Sequence, residues 1–227
     1  MIDSSLLARN PKTLAIVGNG PVSQENAAVI DEADIVLRFN RATSCGAAGK
    51  RVDILIINRA RVYMSKRINP VALHRAKEVW INDIEENGQV DWLFEHECKP
   101  NYLGLGPLEK ARKHLERYAA GPDFLPTTGI CAIAELLDTI PEAELRMFGF
   151  THQGMHTHDL DAERDWVNDL VKEGRLKKFD ASGAAARRPF AEEAEFWLRL
   201  TEKRLKHYVQ NKLIHSGAET KKRIYGE

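Results

Sequence analysis

The sequence has no excess of charge of either sign, because 33 Lys and Arg residues balance 33 Asp and Glu residues over 227 positions. A general nucleic-acid binder carries a basic excess that displaces counterions from the phosphate backbone, so the composition argues against that class. The basic residues are nevertheless unevenly spread. We expect a local basic cluster near the mouth of a ligand site, formed by Arg38, Arg41, Lys50 and Arg51.

Long apolar runs and paired cysteines are also lacking. No stretch approaches the roughly 18 apolar residues that cross a bilayer, and the first ten residues lack the basic and apolar regions of a signal peptide. The chain has only three cysteines and no C-x-x-C pair, which argues against a zinc site or a disulfide framework. We therefore expect a cytoplasmic protein.

Short apolar runs alternate with amphipathic helical stretches, and no repeat divides the chain. The apolar runs, typical of strands covered on both faces, are Thr13–Gly18, Ile35–Phe39, Asp53–Ile57, Glu78–Ile81 and Leu145–Gly149. Helices are expected at about 22–31, 107–120, after Gly129, and at 159–173 and 190–214. The alternation predicts an α/β, Rossmann-like fold with a mainly parallel sheet flanked by helices. We expect residues 1–227 to form one domain, with a C-terminal helix and basic tail at about 190–227.

A glycine-rich turn, Ile16-Val-Gly-Asn-Gly-Pro-Val-Ser23, follows the first predicted strand. Glycine between a buried strand and a helix lets backbone N–H groups approach a phosphate. A dinucleotide fingerprint would need glycine in place of Ser23 and an acidic residue after the second strand. An NADP-dependent oxidoreductase stays open as an alternative, with Arg38 or Arg41 on the 2′-phosphate, and so does a turn that only reverses the chain.

The segment Leu125-Pro-Thr-Thr-Gly129 precedes an apolar helix. Two hydroxyl groups and a glycine at a helix start offer several hydrogen-bond donors to an anion. The alternative is a plain N-cap, because a threonine oxygen ahead of a helix accepts from one of its unpaired N–H groups.

Three histidines, His152, His156 and His158, fall within seven positions after the last predicted strand. Histidine is the side chain best suited to accept a proton near neutral pH, so this segment is a candidate for general base catalysis. His156-Thr-His158-Asp159 also permits a metal site, although the H-x-H-x-D-H order of metal hydrolases is not reproduced. A polar surface loop is the third interpretation.

Taken in order, these segments resemble the sialylmotifs of the family 29 sialyltransferases. The large motif, VGN-(S/G) followed by DFVLRMNxA, corresponds to Val17-Gly-Asn-Gly20 and Asp31-Glu-Ala-Asp-Ile-Val-Leu-Arg-Phe-Asn-Arg-Ala42, with Gly49-Lys50 downstream. The small motif corresponds to Pro126-Thr-Thr-Gly129 and Phe148-Gly-Phe150, and the very small motif, H-x4-E, to His158 and Glu163. The resemblance covers roughly residues 13–180.

This resemblance implies the GT-A-like variant of the fold and a bacterial-type, cytoplasmic transferase. It implies inverting transfer of an acidic sugar, of the sialic acid or Kdo type, from a CMP-sugar donor to a glycan hydroxyl, with no cofactor and no essential metal. His158 would be the general base, Glu163 would orient the structure around it, and His152 or His156 would donate to the departing phosphate. The implied donor-binding residues are Gly18, Asn19, Gly20, Asn40, Thr127, Thr128, Gly129 and Gly149.

The chain also departs from the family pattern. The large-motif cysteine of animal members has no counterpart near Leu14 and Ala15, and the loop between Phe150 and His158 is short. A non-catalytic nucleotide-binding module therefore stays open. Seven basic residues against three acidic ones from residue 200 onward suggest peripheral contact of the C-terminal helix with the inner membrane, the alternative being a solvated helix face.

Overall fold

The structure, a computed structural model, describes residues 4–58, 70–82, 100–118, 124–151 and 158–179. Seven strands in these ranges form one sheet, ordered β5-β4-β3-β2-β1-β6-β7, and every neighbouring pair is parallel. The strands are β1 Thr13–Val17, β2 Ile35–Phe39, β3 Ile54–Asn58, β4 Glu78–Asn82, β5 Asn101–Tyr102, β6 Glu144–Phe148 and β7 Leu176–Phe179.

Helices cover both faces of this sheet, which explains the continuous apolar character of its central strands. The helices are α1 Ala27–Asp31, α2 Pro70–Arg75, α3 Gly106–Leu115, α4 Thr128–Thr139 and α5 Leu160–Lys172. Leu14 and Ile16 of β1 face the core that contains α3, α4 and α5, whereas Ala15 and Val17 face the side of α1. Side chains alternate along a strand, so both halves of β1 are buried.

The order of strands reverses between β1 and β6. The chain adds β2, β3, β4 and β5 outward from one side of β1, and then returns to place β6 on its other side. In open α/β sheets, ligands bind beyond the carboxyl ends of the strands at such a reversal. The turn after β1 and the turn after β6 therefore flank the expected site.

The predicted α/β fold with a parallel sheet is confirmed, and the five predicted strands agree with the structure to within one residue at each end. The helix expected at 22–31 is smaller than predicted: a 3₁₀ turn at Gln24–Asn26 leads into the five-residue α1. The strands β5 and β7 were missed, because one has two residues and the other carries two lysines in four positions. The helix expected at 190–214 and the basic tail lie outside the described residues.

Candidate functional site

Two glycine turns meet at the point where the strand order reverses. The Gly18 N–H donates to the Phe148 carbonyl and the Gly20 N–H to the Gly149 carbonyl, each at 2.7 Å. A Cβ on Gly18 would lie 2.5 Å from the Gly149 carbonyl oxygen, and one on Gly20 would lie 2.7 Å from the same atom. The glycines are needed for this backbone contact, and neither N–H is available to a ligand phosphate. Within this turn, Asn19 remains the residue that can reach a ligand.

Asparagine also stands at the carboxyl end of β2. Asn40 has a φ of 44°, its N–H donates to the Ile56 carbonyl at 2.9 Å, and its Oδ1 accepts the Asn58 N–H at 2.9 Å. The left-handed conformation turns the chain away from the strand, and asparagine tolerates it better than most residues. The Nδ2 of Asn40 can therefore donate a hydrogen bond to a ligand, while its Oδ1 is bound to the end of β3.

Two further asparagines end the next two strands, Asn58 on β3 and Asn82 on β4. Strands β1 to β4 are neighbours in the sheet, so an asparagine follows or ends each of four adjacent strands. The Asn82 Nδ2 donates to the Thr128 Oγ1 at 3.4 Å, which joins β4 to the first turn of α4. Neither Asn58 nor Asn82 was predicted from the sequence.

A buried glutamate holds the start of α4. Glu163, only 1% exposed, accepts the Thr127 N–H at 2.6 Å on Oε1 and the Thr127 hydroxyl at 3.0 Å on Oε2. The Thr127 Oγ1 also accepts the Ile130 N–H at 3.4 Å as the N-cap of α4. The hydroxyl proton of Thr127 is thus held by Glu163, so Thr127 fixes the helix terminus.

Burial also sets the protonation properties of this region. It raises the pKa of the Glu163 carboxyl, although the two hydrogen bonds from Thr127 act in the opposite direction. Burial and the nearby Glu163 charge raise the pKa of the Cys131 thiol to about 12. Because a thiolate is the nucleophilic form of cysteine, Cys131 has no such role at neutral pH.

His158 lies immediately before α5 and is tied to the segment that precedes α4. Its Nδ1 is 2.5 Å from the Leu125 carbonyl oxygen. A carbonyl oxygen can only accept, so Nδ1 is the donor, and the lone pair of the neutral ring is on Nε2. Next to it, the Asp159 Oδ1 caps α5 by accepting the Ala162 N–H at 3.0 Å. The segment that carries His158 and Glu163 is therefore held in place at Leu125, at the N-terminus of α5 and at Thr127.

Two members of the expected basic cluster, Arg38 and Arg51, have side chains bound elsewhere in the protein, whereas the exposed Arg41 directly follows Asn40 at the carboxyl end of β2. Arg38 is fully buried and donates to Ser44 Oγ and to the carbonyl oxygens of Arg51, Ala48 and Gly49. Its guanidinium cannot take a 2′-phosphate, which removes that part of the NADP interpretation. Lys50 and Arg51 donate their N–H groups to Asp31, and the Arg51 side chain binds Asp53, ahead of β3, at the amino edge of the sheet.

Several predicted features lie outside the described residues. These include His152 and His156, so their position relative to His158 is not described. Within the described ranges, no three His, Cys, Asp or Glu side chains come together as a metal site would require. Across the same part of the chain, none of the helices is both long enough and apolar enough to span a bilayer.

Comparison with known proteins shows similarity to a relative in sequence and to several solved structures. The chain is 28% identical over 201 residues to the urease operon 23 kDa accessory protein of Rhizobium meliloti (strain 1021), covering 74% of this chain and 92% of that protein. No protein-family model matches.

The fold is similar to that of a mammalian sialyltransferase, with a TM-score of 0.56, 16% identity, and coverage of 79% of this chain and 74% of that one. A mammalian sialyltransferase in complex with Gal-beta-1-3GalNAc-ortho-nitrophenol gives a TM-score of 0.55 at the same identity and coverage. The chain therefore shares its α/β fold with sialyltransferases.

Proposed function

We propose that this protein is a glycosyltransferase that moves an acidic sugar, of the sialic acid or Kdo type, from a CMP-sugar to a glycan hydroxyl with inversion and without a metal. The observation that carries the proposal is the hydrogen bond from His158 Nδ1 to the Leu125 carbonyl, which leaves Nε2 as a base. Leu125 directly precedes the Pro126-Thr127-Thr128-Gly129 segment, within which α4 begins. The shared fold and the order of the motifs support it further.

In the proposed reaction, the acceptor oxygen attacks the anomeric carbon of the donor sugar, and its proton passes to Nε2 of His158. The bond between the anomeric carbon and the phosphate oxygen breaks, and its electron pair leaves with CMP. His152 or His156 would donate to that phosphate, which stabilises the developing charge. Glu163 would act through Thr127 and would not touch the substrate.

The donor would bind along the carboxyl edge of the sheet. Asn19 and Asn40 would hydrogen-bond the cytidine nucleotide, since an amide side chain offers both donors and acceptors. Thr128 and Gly129 would hold the phosphate or the sugar carboxylate at the N-terminus of α4, where the helix dipole favours negative charge.

The proposal is tested in two steps, binding and transfer. Thermal-shift titration with CMP, CDP, NADP and buffer should give stabilisation by CMP and not by NADP, because a ligand that binds the folded state raises its stability. CMP-sialic acid and CMP-Kdo are then incubated with a galactoside acceptor, and release of CMP is followed with and without EDTA. We expect acceptor-dependent CMP release that EDTA does not stop. Stabilisation by NADP alone would overturn the proposal.

A non-catalytic nucleotide-binding module is the second candidate. It is favoured by the similarity to a protein that is named a urease operon accessory protein. In this case CMP would stabilise the protein, but neither CMP-sugar would release CMP above the rate of the buffer control.

A further inference from the structure

The two threonines at the start of α4 differ in what their hydroxyl groups can do. The Thr127 hydroxyl donates to Glu163 and accepts from Ile130, so its single proton is already bound. The Thr128 hydroxyl instead accepts from Asn82 Nδ2 at 3.4 Å. A hydroxyl that accepts a hydrogen bond keeps its own proton for another acceptor. Of the two neighbours, Thr128 is therefore the one whose O–H can donate to a ligand.

We infer that Asn82 is a positioning residue that turns the Thr128 O–H toward the donor substrate, an inference that rests on the proposed function. An N–H donor at the Thr128 oxygen occupies one lone pair and directs the O–H bond away from β4. The ligand atom that meets this O–H must be an acceptor, as the oxygens of a phosphate or a carboxylate are. Asn82 thus acts on the substrate through Thr128.

The direction of the hydrogen bond, from Asn82 to Thr128, requires a donor at position 82. A carboxylate there could only accept, so it would draw the Thr128 proton toward β4 and away from the ligand. Asn82→Asp has nearly the same volume as the original side chain and reverses the direction of this hydrogen bond. It separates the role of the amide donor from a simple role in packing.

The test is a double-mutant cycle on donor binding, made in a His158→Asn background so that the donor is not consumed. Isothermal titration with CMP-sialic acid compares Asn82→Ala, Asn82→Asp, Thr128→Val and the Asn82→Ala/Thr128→Val double variant. Loss of one hydrogen bond to a charged oxygen should raise the Kd of Thr128→Val by about 10-fold or more. Asn82→Asp should weaken binding at least as much. Asn82→Ala should weaken binding less, because the hydroxyl can still rotate toward the ligand.

The decisive result is the effect of Asn82→Ala when the hydroxyl is already gone. In the Thr128→Val background, removing Asn82 should leave the Kd unchanged, because its route to the substrate has been removed. Thr139→Val, at the far end of the same helix, is the matched control and should bind like the parent. Melting temperatures measured alongside verify that every variant is folded.

Three results would overturn the inference. An equal loss from Asn82→Ala with and without the Thr128 hydroxyl would mean that Asn82 acts by another route. Parent-like binding by Asn82→Asp would mean that Thr128 donates to position 82. Failure of the parent to bind either CMP or CMP-sialic acid would remove the proposed function and this inference with it, whereas the first two results leave the proposed function intact.

Discussion

Glu163 receives two hydrogen bonds from one residue, Thr127, through the backbone N–H at 2.6 Å and the hydroxyl at 3.0 Å. The two residues are 36 positions apart, and the contact joins α5 to the start of α4. Glu163 is 1% exposed and Thr127 is half-buried, so the contact is largely shielded from water. Glu163, which shares a sequence motif with His158, therefore has a structural role: it ties this motif to the start of α4.

Removing this carboxylate should destabilise the fold. Glu163→Ala leaves two donors on the half-buried Thr127 without their partner. A fully buried group of this kind costs about 1–3 kcal/mol, and because Thr127 is only half-buried we expect a total loss of about 2–4 kcal/mol, below the sum of two fully buried groups. Urea denaturation measures it from the midpoint and the slope. Glu142→Ala, an exposed glutamate in the turn before β6, is the control and should stay within about 0.5 kcal/mol of wild type. A loss no larger than that of the control would contradict a stabilising role of the Glu163–Thr127 contact.

The same carboxyl should give stability a defined pH dependence. Burial raises the pKa of Glu163 in the folded protein above the ordinary value near 4.5, so the folded state binds this proton more tightly than the unfolded state. Stability contributed by Glu163 is then greatest below pH 4.5 and falls as the pH rises from there through the raised pKa. We expect the free energy of unfolding of wild type, minus that of Glu163→Gln, to decrease over this interval. A difference that increases with pH would mean that the Thr127 bonds outweigh burial.

His158 offers a substitution that separates its hydrogen bond from its proposed role as a base. In His158→Asn, the amide nitrogen stands near the position of Nδ1 and can still donate to the Leu125 carbonyl, but nothing replaces Nε2. We expect a melting temperature and a CMP-sugar Kd close to those of wild type, with turnover reduced about 10²- to 10⁴-fold.

His158→Gln is the complementary variant. Its amide reaches toward the position of Nε2 and gives up the bond to Leu125, so we expect it to lose turnover and also some stability. Initial rates of CMP release and isothermal titration give the two quantities separately. Turnover by His158→Asn near the wild-type rate would exclude this histidine as the base.

The fold could be predicted because its central strands carry a local signal. Thr13–Val17 and Ile35–Phe39 are continuous apolar runs, and such runs are typical of strands buried on both faces. Their parallel pairing followed from the helices between them. Glu163 was selected because a sequence motif paired it with His158, and its role in the site stays a prediction.

The remaining part of the site depends on the order of strands in space. Asn58 and Asn82 are ordinary polar residues at the ends of apolar runs, and such positions are common in turns. They become candidates only when β3 and β4 are known to follow β2 across the sheet and Asn82 is seen to contact the first turn of α4. The alternative that places Arg38 or Arg41 on a 2′-phosphate rested on charge alone. The place of Arg38 within a buried strand, on the same face as Val36, already indicated that its side chain points into the protein.

The glycine turn after β1 should be intolerant of any side chain. In Gly18→Ala, the new Cβ would lie 2.5 Å from the Gly149 carbonyl oxygen, and a backbone atom cannot move aside as a flexible side chain can. We expect a loss of at least ~2 kcal/mol, because overpacking of this kind forces backbone shifts. Gly106→Ala is the matched control, since a Cβ there meets nothing within 4 Å. It should be neutral or stabilising by up to about 1 kcal/mol, and equal losses in the two variants would contradict the close approach of the two turns.

Arg38 should prove to be a structural residue whose loss destabilises the protein without a specific effect on nucleotide binding. Its guanidinium is fully buried and satisfies one hydroxyl and three carbonyl oxygens in the segment 44–51. Arg38→Met leaves these acceptors without donors, so we expect a loss of at least ~3 kcal/mol in urea denaturation. Arg38→Lys should lose less stability than Arg38→Met but remain less stable than wild type, because an ammonium group keeps the charge but lacks the planar fork of donors. Arg9→Met, on the surface, should change stability by no more than about 0.5 kcal/mol. If Arg38→Met instead kept wild-type stability and abolished a stabilisation by NADP, the phosphate-binding role of this arginine would have to be restored.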